Sequence, residues 1–188
     1  MSEHVCPWWL GYLLASPVRR WLSQPPEEML APFVHEGSVV LEPGPGMGFF
    51  TLPLAHMVGS TGRVVAVDIQ PKMIAELERR AARKGLAARI DARVVGREQM
   101  RLTDLEAAVD FCLAFAVVHE LPDAQSFFNE VALALKPGGM MFLAEPSGHV
   151  KPAKFQAELE AARIAGLGVV SRPSVNRSQA AVLQKAAV

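Results

Sequence analysis

A glycine-rich loop carries the residues of this chain that are best suited to bind a ligand. An apolar run at 39–41 ends in the carboxylate of Glu42, and glycine occupies alternate positions just beyond it, at Gly44, Gly46 and Gly48. Because glycine has no Cβ atom, a turn of this kind from strand to helix lets a ligand approach bare backbone. The unpaired N–H groups of the helix start lie beside it. The loop therefore predicts a binding site for a nucleotide-like ligand.

A second carboxylate, Asp68, ends the next apolar run, at 64–67. Ligands of open α/β sheets bind at the carboxyl ends of the strands, and an acid about 20 residues after the glycines suits ribose hydroxyls. A carboxylate has two acceptor oxygens for that purpose. The competing interpretation is local, since Asp68 could instead cap the helix predicted to begin near Pro71.

Strand-like and helix-like runs alternate from Ser38 onward, and this alternation predicts the fold. The strand candidates are apolar almost throughout, as in a parallel sheet covered by helices on both faces, and they fall at 39–41, 64–67, 90–95, 109–114 and 140–144. Helices are predicted between them, at 49–57, 71–84 and 123–135. We therefore predict a doubly wound α/β domain with three layers, in the order helix, sheet, helix.

The last part of the chain has a different pattern. A predicted helix at 153–165 leads to apolar runs at 169–172 and 180–183, which are too close together for a helical crossover and should pair antiparallel. The full expectation is a mostly parallel seven-stranded sheet with an antiparallel C-terminal hairpin. Residues 1–37, rich in Trp and Pro, are predicted to form a helical cover segment, and 38–188 the single globular unit.

The composition of the chain disfavours several classes of partner and of binding site. The chain has 188 residues, 51% of them hydrophobic, and 19 basic against 19 acidic side chains, so a nucleic acid is not the expected partner. Its two cysteines, Cys6 and Cys112, are too few for a disulfide framework and favour a cytoplasmic setting. The apolar stretch at 8–15 is too short to span a membrane, and no metal-ligand spacing occurs. The basic side chains at 79–101 are interpreted as a solvated helix face and its flanks.

Several details bear on which nucleotide the loop would bind. The dinucleotide pattern needs glycine three positions after Gly46, where this chain has Phe49. Glu42 suits a cationic ligand better than a pyrophosphate. The Lys-Pro-Gly-Gly run at 136–139, predicted as a helix-to-strand turn, has no role in pyrophosphate binding. A P-loop is excluded because no Gly-Lys-Ser/Thr sequence follows the glycines.

Taken together, these motifs resemble those of the Rossmann-like, class I methyltransferases that use S-adenosylmethionine. The matching stretches are L-E-P-G-P-G-M-G at 41–48, V-V-A-V-D-I at 64–69, V-D-F-C-L-A-F-A-V-V-H-E-L-P-D at 109–123 and L-K-P-G-G at 135–139. The chain looks most like the small enzymes related to the ubiquinone and menaquinone biosynthesis methyltransferases. The resemblance implies methyl transfer to a small-molecule acceptor by in-line displacement.

The resemblance also assigns residues to the cofactor. The methionine part would lie on the loop formed by Gly44, Pro45, Gly46 and Gly48. Glu42 would face its amino group, and Asp68 would bind the ribose. Apolar walls around the adenine would come from Ile69 and Met73. The end of the third strand would add Gly96 and Arg97, and Ala114 would lie near the transferable methyl group. Relatives often have an aspartate where this chain has Arg97, which leaves recognition of the adenine amino group open.

Two side chains are candidates for a catalytic role. His119 follows the fourth strand and Glu145 ends the fifth, so both are expected at the mouth of the site. A packed, hydrogen-bonded histidine is the competing interpretation of His119. The aromatic and basic residues of the N-terminal segment are predicted to cover an apolar or aromatic substrate, with ordinary packing against the sheet as the alternative.

Three alternatives to a small-molecule methyltransferase remain at this point. A nicotinamide-dependent oxidoreductase is disfavoured by Glu42, by Phe49, and by the lack of a Tyr-x-x-x-Lys pair, since Tyr12 is the only tyrosine. A non-catalytic protein that binds S-adenosylmethionine would keep the same loop. A methyltransferase for protein or RNA would need a recognition domain, for which the short chain shows no insert.

Overall fold

The computed structural model describes residues 25–187, and the helices within this range match the predicted ones closely. They are α1 (Pro26–Leu30), α2 (Thr51–Met57), α3 (Pro71–Arg83), α4 (Ala124–Ala134) and α5 (Pro152–Ile164). The first 24 residues of the predicted cover segment lie outside the described part, so the proposed division at residue 37 stays a prediction.

Seven strands form one sheet in the order β3-β2-β1-β4-β5-β7-β6. The strands are β1 (Val39–Pro43), β2 (Arg63–Asp68), β3 (Ile90–Val94), β4 (Val109–Phe115), β5 (Leu135–Pro146), β6 (Leu167–Ser171) and β7 (Ser178–Lys185). Strands β1 to β5 are parallel, whereas β7 pairs antiparallel with both β5 and β6. The predicted doubly wound sheet with a C-terminal hairpin is therefore confirmed, and the strand order reverses direction between β1 and β4.

Alternate residues of the central strands point to opposite faces of the sheet, and each face has its own apolar core. On one face Leu41 and Cys112 pack with side chains of α4 and α5, such as Phe128 and Leu159. On the other, Val40 and its neighbours pack with side chains of α1 and α2. Helices on both faces leave the carboxyl ends of the parallel strands as the open edge of the molecule.

Local sequence signals explain where two helices begin and end. The side chain of Asp123 caps α4 by accepting hydrogen bonds from the N–H groups of Gln125 at 2.9 Å and Ser126 at 3.2 Å. Pro71 opens α3, and Gly85 just beyond its end has a φ of +68°.

The Lys-Pro-Gly-Gly run differs from its prediction as a simple turn between α4 and β5. Strand β5 begins at Leu135, which pairs with Val109, and the register then shifts so that Met140 pairs with Phe111. The run at 136–139 is therefore an irregularity inside the strand, with Gly138 at a φ of +77°. Among residues 25–187, no helix is both long enough and apolar enough to cross a membrane.

Candidate active site

Acidic side chains and a glycine loop meet at the carboxyl edge of the sheet. Glu42 is near the end of β1, Asp68 ends β2, Phe115 ends β4 and Glu145 lies near the end of β5. Because these strands are parallel neighbours, their ends open onto the same side of the molecule. The structure thus brings together the two groups of residues predicted for the cofactor and for catalysis.

The three loop glycines all have positive φ, but they differ in what surrounds them. A Cβ atom on Gly44 would lie 2.8 Å from the Val117 side chain, and one on Gly48 would lie 2.5 Å from Leu77. A Cβ on Gly46, where φ is +53°, would meet no atom within 4 Å. Gly44 and Gly48 are therefore required by close packing, whereas Gly46 presents bare backbone to open space. That open backbone is where a ligand can approach the loop.

Glu42 is a buried carboxylate with an unsatisfied oxygen. Its side chain is 3% exposed, and its Oε2 atom has no hydrogen-bond partner among the described residues. Burial raises the pKa of Glu42 from 4.5 to about 8, and the negative charge of Asp68 adds to the rise. The nearby Thr51 hydroxyl opposes this rise, although no hydrogen bond of ordinary geometry joins the two groups. A buried acid of this kind calls for a cationic or hydrogen-donating partner.

Asp68 lies beside the glycine loop and is held by local backbone. Its Oδ1 atom accepts a hydrogen bond from the Gln70 N–H at 2.8 Å, and the backbone N–H of Gly46 also favours its ionised form. Burial nevertheless raises the pKa of Asp68 to about 6, and the charge of Glu120 contributes to the rise. The helix α3 has Gln70 as its N-cap residue, without a side-chain cap. Asp68 thus supports the strand-to-helix turn through hydrogen bonds with the backbone.

The predicted adenine residues surround Asp68. The N–H of Val95 donates to the carbonyl of Asp68 at 3.0 Å, which places the end of β3, and with it Gly96 and Arg97, beside the end of β2. Met73 is buried in the first turn of α3, and Ile69 is half-buried. Ala114 is fully buried in β4. Their contacts with a cofactor stay predictions.

His119 and Glu145 contact each other directly. The Nδ1 atom of His119 hydrogen-bonds to Oε2 of Glu145, whose Oε1 accepts from the Val118 N–H at 2.8 Å. Glu145 is fully buried, and its hydrogen bond raises the pKa of His119 above the ordinary 6.5. The interpretation of His119 as a hydrogen-bonded histidine is correct in geometry, and its partner is the other candidate catalytic residue.

Comparison with known proteins identifies the family. The family described as "Methyltransferase domain" matches residues 34–182, which is most of the chain. The chain belongs to this methyltransferase-domain family. This membership agrees with the family that the motifs resemble, and it gives no support to a nicotinamide enzyme.

Two curated relatives of this methyltransferase-domain protein act in quinone biosynthesis, according to their names. One is the ubiquinone biosynthesis O-methyltransferase of Methylocella silvestris, 32% identical over 69% of this chain and 48% of its own length. The other is the ubiquinone/menaquinone biosynthesis C-methyltransferase of Hydrogenovibrio crunogenus, 28% identical over 63% of this chain and 46% of its own. The chain thus spans about half the length of the curated relatives that it matches.

A solved structure supports the fold over nearly the whole methyltransferase domain. The SAM-dependent methyltransferase of Aquifex aeolicus superposes with a TM-score of 0.84, covering 96% of this chain and 99% of that one. At 24% sequence identity this similarity establishes the shared architecture alone.

Arg80 contacts the glycine loop, and the sequence did not reveal this contact. Its guanidinium, on the inner side of α3, donates a hydrogen bond to the carbonyl of Met47 inside the glycine loop. The interpretation of the basic cluster as a solvated helix face is therefore wrong for this residue. A spacing of 33 positions between donor and acceptor leaves no local sequence signal for the contact.

Glu158 is a second residue that sequence reasoning missed. It lies on α5 with 4% of its surface exposed, and neither carboxylate oxygen has a hydrogen-bond partner among the described residues. Burial raises the pKa of Glu158 to about 7, and the charge of Glu145 adds to the rise. An acidic residue on an amphipathic helix ordinarily faces water, so its position in sequence gave no indication of this burial.

The described residues offer neither a metal centre nor a reactive thiol. Within positions 25–187 no group of three or more His, Cys, Asp or Glu side chains is placed to hold a metal ion. Cys112 lies fully buried in β4, where burial raises the pKa of its thiol.

Proposed function

We propose that this protein transfers a methyl group from S-adenosylmethionine to a small-molecule acceptor. The observation that supports this most strongly is the unpartnered, buried oxygen of Glu42, which precedes a loop whose backbone is open at Gly46. A ligand that carries an ammonium group and ribose hydroxyls satisfies both Glu42 and Asp68. When bound, such a cofactor supplies an electrophilic methyl group on a positively charged sulfur.

Different residues of the chain bind different parts of the cofactor. Glu42 binds the amino group, because the charge of an ammonium offsets the cost of ionising a buried carboxylate. Asp68 accepts hydrogen bonds from the ribose hydroxyls, while Ile69 and Met73 flank the adenine. The methionine part is supported by the backbone of the loop, at Gly44, Pro45, Gly46 and Gly48. The adenine edge is lined by Gly96 and Arg97. Ala114 lies behind the methyl group.

The charge of the site argues against a dinucleotide. A pyrophosphate at the glycine loop would bring negative charge next to Asp68, and it could not offset the cost of ionising the buried Glu42 as a cation does. The same carboxylates favour a cationic ligand. The comparisons agree with this electrostatic preference, since they support methyltransferases and no nicotinamide enzyme.

A small organic acceptor is supported by the relatives and by the charge of the chain. The relatives' names refer to O- and C-methylation in quinone biosynthesis, and the chain has no basic excess for a nucleic acid. The cover formed by residues 1–37, an apolar or aromatic substrate beneath it, and a cytoplasmic location stay predictions.

Transfer of a labelled methyl group tests the proposal and separates it from its rivals. The protein is incubated with methyl-labelled S-adenosylmethionine and a cell extract split into small molecules and macromolecules. Label should appear in the small-molecule fraction and fall at least tenfold with Asp68→Ala. The exposed Glu160, which pairs with Arg163, offers a matched control in Glu160→Gln. Label in protein or RNA would contradict the small-molecule acceptor, and no transfer would favour a non-catalytic binding protein.

A further inference from the structure

The contact between His119 and Glu145 determines which nitrogen of the imidazole is bonded to the carboxylate and which one is not. An ionised carboxylate only accepts hydrogen bonds, so Nδ1 carries the proton toward Glu145. The other nitrogen, Nε2, makes no hydrogen bond to any residue of the part 25–187, and its nearest carboxylate oxygen, on Glu120, is 4.0 Å away. In the neutral ring Nε2 is then a proton acceptor.

The backbone around His119 fixes the ring at the mouth of the site. Ala116 has a φ of +59°, an uncommon conformation for alanine, and its N–H donates to the Ala144 carbonyl at 2.8 Å. The turn places Val117 against Gly44 in the cofactor loop and Glu120 close enough to Asp68 to influence its pKa. His119 lies between these two residues in the chain, so it belongs to a turn that borders the glycine loop and Asp68.

Glu145 is itself held rigidly. Its Oε1 accepts the Val118 N–H, its side chain is fully buried, and β5 pairs on either side with β4 and β7. From the other direction, the Lys154 ammonium donates to the His119 carbonyl at 3.1 Å. The arrangement of an acid that orients an imidazole is the one that prepares a histidine to take a proton from a reacting group.

We propose that His119 is the general base for an acceptor that arrives as a phenolic hydroxyl, with Glu145 as the positioning residue that holds the ring. This inference depends on the proposed methyl transfer and names its substrate class. In the step, the O–H bond of the acceptor breaks as its proton moves to Nε2. An O–C bond forms as the S–C bond of the cofactor breaks, which leaves a neutral thioether. The proton then leaves His119 to solvent.

The acidity of the acceptor decides between chemical classes. A phenol, like tyrosine, has a pKa of about 10, so it is protonated at neutral pH and needs a base to remove its proton. Imidazole can act as this base because its pKa lies near neutral pH. A thiol ionises near a pKa of about 8.5 and has little need of a base. An ammonium group would be kept protonated by the surrounding carboxylates and so remain a poor nucleophile. A neutral phenol meets neither difficulty.

Other titratable groups surround the pair, and some of them shift the pKa of His119. The groups on neighbouring elements are Glu120 in the turn after β4, His149 in the loop after β5 with its ring centre 6.0 Å from that of His119, and Lys154 and Glu158 on α5. Glu145 and Glu120 raise the pKa of His119, whereas burial and Lys154 lower it. Because the net effect is a raised pKa, His119 becomes a neutral base only at a pH above the ordinary 6.5.

Ionisation of a bound chromophoric phenol tests the proposal without turnover. The protein is saturated with S-adenosylhomocysteine, whose sulfur is neutral, and 4-nitrophenol is titrated with pH while its phenolate absorbance is followed. The acid dissociation constant of bound nitrophenol should be at least tenfold larger than that of nitrophenol in free solution. His119→Gln should abolish this increase and Glu145→Gln should reduce it. His149→Gln, which removes the neighbouring histidine, should leave it unchanged.

Nitrogen-resolved NMR of the histidine rings supplies the readout that a merely structural role would not change. His119 should carry its proton on Nδ1 when neutral, and Glu145→Gln should lower its pKa while Glu145→Asp restores part of the rise. A proton on Nε2, or a nitrophenol that ionises as it does in free solution or does not bind, would overturn the inference. Failure to bind S-adenosylhomocysteine would instead overturn the proposed function on which the inference depends.

Discussion

Glu42 and Asp68 end neighbouring parallel strands, and the negative charge of Asp68 contributes to holding the pKa of Glu42 near 8. Each acid is buried, and the described residues supply neither with a cationic partner through a salt bridge. The site is therefore electrostatically incomplete until a cation binds. This relationship leads to predictions that concern binding, stability and pH.

Binding of the cofactor product should release protons. In the free protein Glu42, with a pKa of about 8, holds a proton at pH 7. An ammonium group beside it favours the carboxylate and lowers that pKa, so binding should release close to one proton and tighten as pH rises toward 8. Calorimetry of S-adenosylhomocysteine binding in two buffers of different ionisation enthalpy measures the release. Glu42→Gln should abolish it, and a heat independent of buffer in the wild type would argue against this role.

The same carboxylate should destabilise the cofactor-free fold. The pKa of Glu42 is raised on folding from 4.5 to about 8, so its favourable contribution is complete below pH 4.5 and lost as pH rises through 8. At pH 7 the carboxyl is protonated in the folded state and ionised in the unfolded state, and this difference lowers the free energy of unfolding by about 3 kcal/mol. Glu42→Gln should therefore raise the free energy of unfolding by about 1–3 kcal/mol at pH 8 and by much less at pH 5. Urea unfolding at both values checks this, and equal gains at the two pH values would refute it.

Alanine substitutions at two loop glycines should have different effects, one on stability and the other on cofactor binding. Gly48→Ala places a methyl group 2.5 Å from the buried Leu77 and should cost stability, with a lowered Tm. Gly46→Ala meets no protein atom, so beyond the strain of its positive φ, about 1 kcal/mol, its effect should fall on cofactor binding. Measuring Tm and affinity for S-adenosylhomocysteine on both variants separates the two effects. Wild-type affinity in a folded Gly46→Ala protein would show that the ligand does not approach this backbone.

Arg80 should support binding through the loop. Its hydrogen bond to the Met47 carbonyl is charge-assisted, and such bonds contribute about 1.5–3 kcal/mol. Arg80→Met should weaken binding of S-adenosylhomocysteine several-fold with a small change in Tm. Arg79→Met is the matched control, because Arg79 is adjacent on the same helix and pairs with Glu76 at the surface. Equal affinities for the two variants would remove Arg80 from the site.

Sequence reasoning succeeded where the signals were local. The apolar runs of the parallel strands and the strand-end acids Glu42 and Asp68 depend on neighbours along the chain, and each is found where it was predicted. The common edge for His119 and Glu145 followed from the parallel order of β4 and β5. Their hydrogen bond depends on rotamers and on the turn at Ala116, which no spacing encodes.

The residues that were missed are those whose role depends on tertiary packing. Arg80 and Glu158 have charged side chains on helices, where exposure is the ordinary expectation. Their positions are determined by how α3 and α5 pack against the sheet, which rotates Arg80 toward Met47 and buries Glu158 beside Glu145. The irregular start of β5 likewise depends on pairing with β4 rather than on the Lys-Pro-Gly-Gly run itself.

Calorimetric titration of the full chain with S-adenosylhomocysteine and, separately, with NAD tests the central claim most directly. We predict that the first ligand binds, that NAD does not, and that Asp68→Ala weakens the binding by more than tenfold while Glu160→Gln has no effect. Binding of NAD in place of S-adenosylhomocysteine, or an unchanged affinity in Asp68→Ala, would contradict the assignment of this edge of the sheet to a cationic cofactor.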